Sequence, residues 1–173
     1  MTHHVIIGAG PAGVIAAETL RKLAPQDSVT LIGDEPEPSY SRMAIPYRLM
    51  GNIGEAGTHL RHKGDHYERL GIQLKRNRAV RLDTEARTVH MDDGGMHAYD
   101  RLLIASGSHP VRPPIPGIER ALTLRDIEDT DALVAAVDGA RRQVDTPTQV
   151  FGVRRALFDG CQQNERIARH AVA

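Results

Sequence analysis

The apolar positions at the start of the chain change rhythm across a cluster of glycines. His3-His4-Val5-Ile6-Ile7 ends in a continuous apolar run of strand length. Residues 12–24 then place Ile15, Leu20 and Leu23 at helical spacing, and Pro25 stops the pattern. Ser28-Val29-Thr30-Leu31-Ile32 is a second strand, ending at Gly33-Asp34-Glu35. Two strands joined through a helix by short connections imply a parallel pair with a right-handed crossover.

The next stretch loses the rhythm. Pro36, Pro38 and Pro46 break residues 35–53 into an irregular loop. A short helix is predicted over residues 63–70, closed by Gly71, and a short strand over 72–74. Residues 79–83 and 87–91 read as strands, Asp92-Asp93-Gly94-Gly95 as a tight hairpin turn, and 96–99 as the returning strand. Leu102-Leu103-Ile104-Ala105 is a buried strand that stops at Ser106-Gly107-Ser108, before a proline-rich loop over 110–117. Asp126 or Asp129 caps a helix running to about Val137, with Leu133, Val134 and Val137 on its inner face. The pattern is that of an α/β chain in which an antiparallel meander takes the place of a later helical crossover. Beyond Arg142 the periodicity fails: Gln143 to Gln149 shows none, and residues 151–173, rich in Arg and Gln, suit either a helix or disorder. The expected division is a folded domain over 1–142 and an atypical tail over 143–173.

Composition narrows the function classes. Lys and Arg number 22, as do Asp and Glu, so the net charge is zero and carries no nucleic-acid footprint. Aromatic residues are 3% of the chain and tryptophan is absent, which removes base-stacking platforms. The single cysteine, Cys161, excludes an internal disulfide and a cysteine-based zinc site. No apolar run reaches membrane-spanning length, and the short N-terminal run leads straight into glycine, unlike a signal peptide. A cytoplasmic protein without nucleic-acid or membrane partners is expected.

The candidate chemistry lies in Gly8-Ala9-Gly10-Pro11-Ala12-Gly13, between the first strand and the helix. In this context Gly8 permits the tight turn, Gly10 lets the backbone approach a diphosphate, and Gly13 lets the helix pack on the strand. Pro11 and Ala12 open the helix, whose N-terminal N–H groups and partial positive charge face the phosphates. Asp34 and Glu35, about twenty residues on, supply a carboxylate for a ribose. Ala105, Ser106 and Gly107 end the buried strand, where open α/β sheets place their ligands. The meander and this strand end favour a flavin dinucleotide over a nicotinamide one. His59, His62 and His66 have i, i+3, i+7 spacing, but Gly64 interrupts a helix there, and they read as solvated histidines with no metal site.

Residues 3–142 resemble the N-terminal part of the pyridine nucleotide-disulfide oxidoreductase family. Val5 to Gly13, Val29 to Pro36 and Leu102 to Ser108 carry the resemblance. It implies a Rossmann-like, three-layer FAD/NAD(P)-binding domain, incomplete relative to the family, with FAD as cofactor and NAD(P)H as co-substrate of the full-length enzymes. The ferredoxin, rubredoxin and nitrite reductases of the family share a Gly-Asp-Glu-Pro-like segment followed by Tyr-x-Arg, here Tyr40-Ser41-Arg42. The resemblance lays Arg42 along the dinucleotide, although on charge and position alone it also suits a solvated loop arginine. It also sets Val80 where a backbone group passes over the adenine, a position an ordinary strand valine fits as well. Met43 stands where disulfide- and peroxide-reducing members carry a redox cysteine, and a thioether forms no thiolate. Tyr47 departs from a lysine usual in the ferredoxin-reductase branch.

The resemblance implies a second glycine turn for the nicotinamide after Arg142, where Gln143-Val144-Asp145-Thr146-Pro147 stands instead. The expectation is therefore a truncated or frame-shifted relative, or a cloned piece of one. Apolar surface left bare would then promote self-association or the binding of a partner chain. Three readings stay open: the flavin half of an NAD(P)H oxidoreductase, a non-enzymatic FAD- or nucleotide-binding module that needs a partner chain, and a small NAD(P)-binding protein.

Overall fold

The computed structural model describes residues 1–143, so the expectations for the later tail and for Cys161 lie outside the described residues. The elements run β1 (His3–Ile7), α1 (Pro11–Leu23), β2 (Ser28–Gly33), α2 (Ile45–Leu49), α3 (His66–Arg69), β3 (Ile72–Arg76), β4 (Ala79–Asp83), β5 (Thr88–Met91), β6 (Met96–Ala98), β7 (Arg101–Ile104) and α4 (Ile127–Gln143). Two compact units divide the chain, Met1–Ile118 and a second that starts at Glu119.

The first unit has three layers. A parallel sheet in the order β3-β2-β1-β7 lies between α1 and the antiparallel meander β4-β5-β6. Strand alternation sorts the core. Ile6, Val29, Leu31 and Ile72 pack with Val14 and Ala17 of α1. Val5 and Ile32 point the other way, onto Val89 and Met91 of the meander. Both faces are covered at β1 and β2, which is why these two read as unbroken apolar runs; β7, expected as a buried strand, is at the sheet edge with Leu103 and Ile104 42% and 61% exposed. The meander forms where the sequence places it, and its turn has Gly94 at φ +84° and the Gly95 N–H donating to Asp93 Oδ1 at 2.8 Å.

Several boundaries differ from expectation. Within α1 the buried face is Gly13, Val14 and Ala17, so Ile15 and Leu23 are 54% and 80% exposed. At 100° per residue those two lie off the stripe that the closest-packed positions define. The loop over 35–53 contains a 3-10 turn at Arg42–Ala44 and helix α2, because Pro46 occupies the first helical turn, where its missing N–H costs nothing. α3 starts three residues late, after Gly64, and Gly71 at φ +65° follows it. In the second unit Asp126 is the cap, its Oδ1 accepting the Asp129 N–H at 2.8 Å. α4 runs on past Val137 to Gln143, and Val134, expected inside, is exposed.

One polar cluster ties α1 to the segment before α3. Arg61 donates from Nε and Nη2 to the two oxygens of Glu18, at 2.7 and 2.6 Å, and His66 Nε2 lies 2.8 Å from Glu18 Oε1. The hydrogen bonds from Arg61 hold the Glu18 carboxyl below its ordinary value of 4.5, against the opposing effect of burial. Stability from this group is therefore complete above pH 4.5 and is lost as pH falls through the lowered folded value. Glu18→Gln is expected to cost about 1–2 kcal/mol at neutral pH and less at an acid pH below the lowered folded value. Urea unfolding of the two chains at both pH values checks this; a gap independent of pH contradicts it.

Candidate functional site

The site is assembled where β1, β2 and β7 end. The Gly8 N–H donates to Ile32 O at 2.7 Å, and the Ala105 N–H to Ile7 O at 2.7 Å, so the turn is stitched to both neighbouring strands. Gly8 has φ +113°, and a Cβ on it would stand 2.1 Å from the Ala105 carbonyl oxygen and 2.9 Å from Ser106 N. Gly8, Ala105 and Ser106 are thus in direct apposition, with Gly107 following at φ +72°. A Cβ on Gly13 would fall 1.9 Å from the Gly8 carbonyl oxygen, which is how closely α1 approaches the turn. A fourth glycine, Gly33, has the same duty without having been singled out from sequence: its Cβ would meet that of Ala9 at 2.5 Å. Its signal was a glycine ending the strand beside the turn.

Gly10 is different. Its backbone is extended, φ −77° and ψ −175°, and the nearest atom to a Cβ placed there is Arg42 Nη1 at 3.7 Å. Gly10 caps α1 with no side chain, Pro11 opens the helix and its first turn holds no acidic residue. The positive end of a 13-residue helix is thereby left to a ligand.

Arg42 reaches this end from the 3-10 turn. Its Nη2 pairs with Glu35 Oε1, its guanidinium lies 5.4 Å over the Tyr40 ring, and its buried Nε has no hydrogen-bond partner among the described residues. Backbone bonds fix the segment: the Ser41 N–H donates to Thr58 O at 2.9 Å and the Leu60 N–H to Ser39 O at 2.8 Å, flanking a bridge between Tyr40 and His59. Arg76, which sequence patterning did not single out, donates to the carbonyls of Pro36 and Glu37 and secures the chain beyond Glu35.

The two carboxylates take separate partners. Asp34 lies 4.0 Å from Arg78, on the turn into the meander, whose neighbour Asn77 donates its N–H to Gly33 O at 3.0 Å. Val80 sits in a bulge: Ala79 pairs with Met91 and Arg81 with His90, so Val80 has no register partner, and its side chain is 57% exposed. A bulge re-aims backbone groups at a sheet edge. Of the three spaced histidines only His66 is in a helix, and it is turned to Glu18, so they do not share a helical face. Met43 is 85% exposed next to Arg42.

An open glycine, a helix N-terminus with no side-chain cap and the Arg42 Nη1 come together at one place. That donor set fits a diphosphate.

The comparisons with known proteins bear on the family. The family pattern described as pyridine nucleotide-disulphide oxidoreductase matches residues 2–144. The nitrite reductase [NAD(P)H] of Bacillus subtilis is 38% identical over 136 residues, covering 76% of this chain and 17% of that protein. The ferredoxin–NAD(+) reductase component of the p-cumate 2,3-dioxygenase system of Pseudomonas putida is 34% identical, covering 79% and 35%. Putidaredoxin reductase, in its covalent complex with putidaredoxin, superposes with a TM-score of 0.71 at 26% identity, over 79% of this chain and 34% of its own. The chain spans between about a sixth and about a third of the length of these relatives.

Proposed function

The chain belongs to the pyridine nucleotide-disulphide oxidoreductase family, and from that premise we propose that it is the FAD-holding part of an NAD(P)H-dependent electron-transfer enzyme. Members of the family are FAD-dependent and take NAD(P)H as co-substrate. The observation that carries the reading is the Gly8–Gly13 turn, closed onto β7 at Gly8 and open at Gly10 toward Arg42. Gly10, Pro11 and Ala12 offer the helix end to the diphosphate, and Arg42 adds charge from the opposite side. Asp34 and Glu35 stand at the ribose end, with Val80 at the adenine, and Ala105, Ser106 and Gly107 border the cofactor at the end of β7. When bound, FAD supplies the capacity to take a hydride equivalent from a nicotinamide and pass electrons on. The chain's own residues bind and orient it. Met43 offers no thiolate beside the site, so electrons leave without a cysteine relay there. The acceptor, as for the reductases among the relatives, is a separate molecule.

A second reading, an FAD-binding module completed by a partner chain or a second copy, is favoured by β7. Among the described residues this strand has one neighbour, β1, while Leu103 and Ile104 are exposed. An open groove of about 390 Å³ runs beside it, lined by His4, Ala16, Leu20, Arg101 and Leu103.

One experiment separates these. The purified chain is incubated with FAD, FMN or NAD⁺ and passed through gel filtration. We expect FAD to be retained and FMN, which lacks the adenosine half, to be lost. Retention of NAD⁺ in place of FAD overturns the proposal. Oxidation of NAD(P)H with a dye acceptor by the FAD-loaded chain then supports the enzyme, and its absence the module.

A further inference from the structure

Arg42 occupies a place that is unfavourable for a cation. Its Nη1 lies 3.7 Å from where a Cβ on Gly10 would be, beside the positive end of α1, and the first turn of α1 has no carboxylate to compensate. What holds the guanidinium there comes from elsewhere. Glu35, at the end of β2, pairs with Nη2, and the face of Tyr40 lies 5.4 Å below the guanidinium carbon. Tyr40 is buried and fixed by its bridge to His59. The guanidinium is therefore clamped between a carboxylate and a ring, which leaves its Nε, buried and unpartnered among the described residues, without a role in the fold.

We propose that Glu35 is a positioning residue for Arg42: it acts on the bound dinucleotide through the guanidinium it holds over the diphosphate, rather than by gripping the ribose itself. This rests on the FAD reading, and it revises the ribose role given above to the Asp34–Glu35 pair. Asp34, 54% exposed and 4.0 Å from Arg78, is then the carboxylate with room to turn toward a ribose. Two carboxylates in sequence thus divide the work: one serves the diphosphate at second hand, the other faces solvent at the sugar.

The test is a double-mutant cycle on FAD affinity with the full chain, using Glu35→Gln, Arg42→Met and both together, read by quenching of flavin fluorescence. ADP and 2′,3′-dideoxy-ADP are the competitors. Glu35→Gln is expected to weaken FAD about tenfold in the parent and less than about twofold in the Arg42→Met background, the signature of groups that act as a unit. It weakens ADP and dideoxy-ADP by the same factor, because the ribose hydroxyls are not its target. Equal losses in both backgrounds, or a loss that disappears with dideoxy-ADP, overturn the proposal. A parent chain that binds no FAD defeats the flavin reading itself, a result distinct from either. Thermal melting of the four chains without ligand adds a readout independent of the cofactor: the two substitutions couple if the pair is formed, and simple additivity contradicts it.

Discussion

Gly13→Ala is expected to abolish the fold or to leave it barely stable. The new Cβ would sit 1.9 Å from the Gly8 carbonyl oxygen and 3.3 Å from Leu31 Cδ1. The first of these is backbone that cannot swing aside. α1 cannot retreat either, because Val14 and Ala17, on the same face, are fully buried against the parallel sheet. Retreat would open a gap along that whole face, so the loss is at least about 3–5 kcal/mol, a large share of the stability of a domain this size. Urea denaturation followed by circular dichroism measures it, and a chain that expresses soluble with an unchanged midpoint contradicts the packing described.

Gly10→Ala is expected to do the opposite: spare the fold and remove the cofactor. Only Arg42 Nη1 comes within van der Waals distance of the added methyl, and the backbone at Gly10 is in a region any residue adopts. Exchanging glycine for alanine at a helix cap costs about 1 kcal/mol or less. The methyl, however, projects into the gap between the end of α1 and Arg42, where a phosphate oxygen must come within about 3 Å of a donor. FAD affinity should fall by at least about tenfold while the melting curve stays near that of the parent. Three residues apart in one glycine motif, the two substitutions should thus separate folding from binding. A Gly10→Ala chain that binds FAD as tightly as the parent would show that the diphosphate lies elsewhere.

The elements around the site were legible because they depend on short-range pattern. An apolar run into Gly8, a helical rhythm after Gly13, and Asp92-Asp93-Gly94-Gly95 each have a local physical cause that the sequence displays. The same holds for the end of β7, which a strand pattern and a following Gly107 mark. What escaped notice depends on long-range meetings. Glu18 meets Arg61 and His66 more than forty residues away, and no periodicity links them. Gly33 is needed only because Ala9 lies against it, a contact that exists once β1 and β2 are paired. The Glu35–Arg42 pair spans an irregular loop, so its partners could be named as candidates but not joined. α2 was missed because Pro46 reads as a breaker until its place in the first helical turn is known. Ile15 and Leu23 had the spacing of a buried stripe, but the close approach at Gly13 sets the rotation of α1 and turns them outward.

In the proposed function, the turn at Gly8–Gly13, with Arg42, holds the diphosphate of FAD. Calorimetric titration of the full chain with FAD, repeated in the presence of ADP, tests it most directly. The expected result is a saturable one-to-one binding curve that ADP displaces competitively and riboflavin, which has no phosphate, does not. Binding that riboflavin displaces and ADP leaves untouched, or no binding at all, would contradict it.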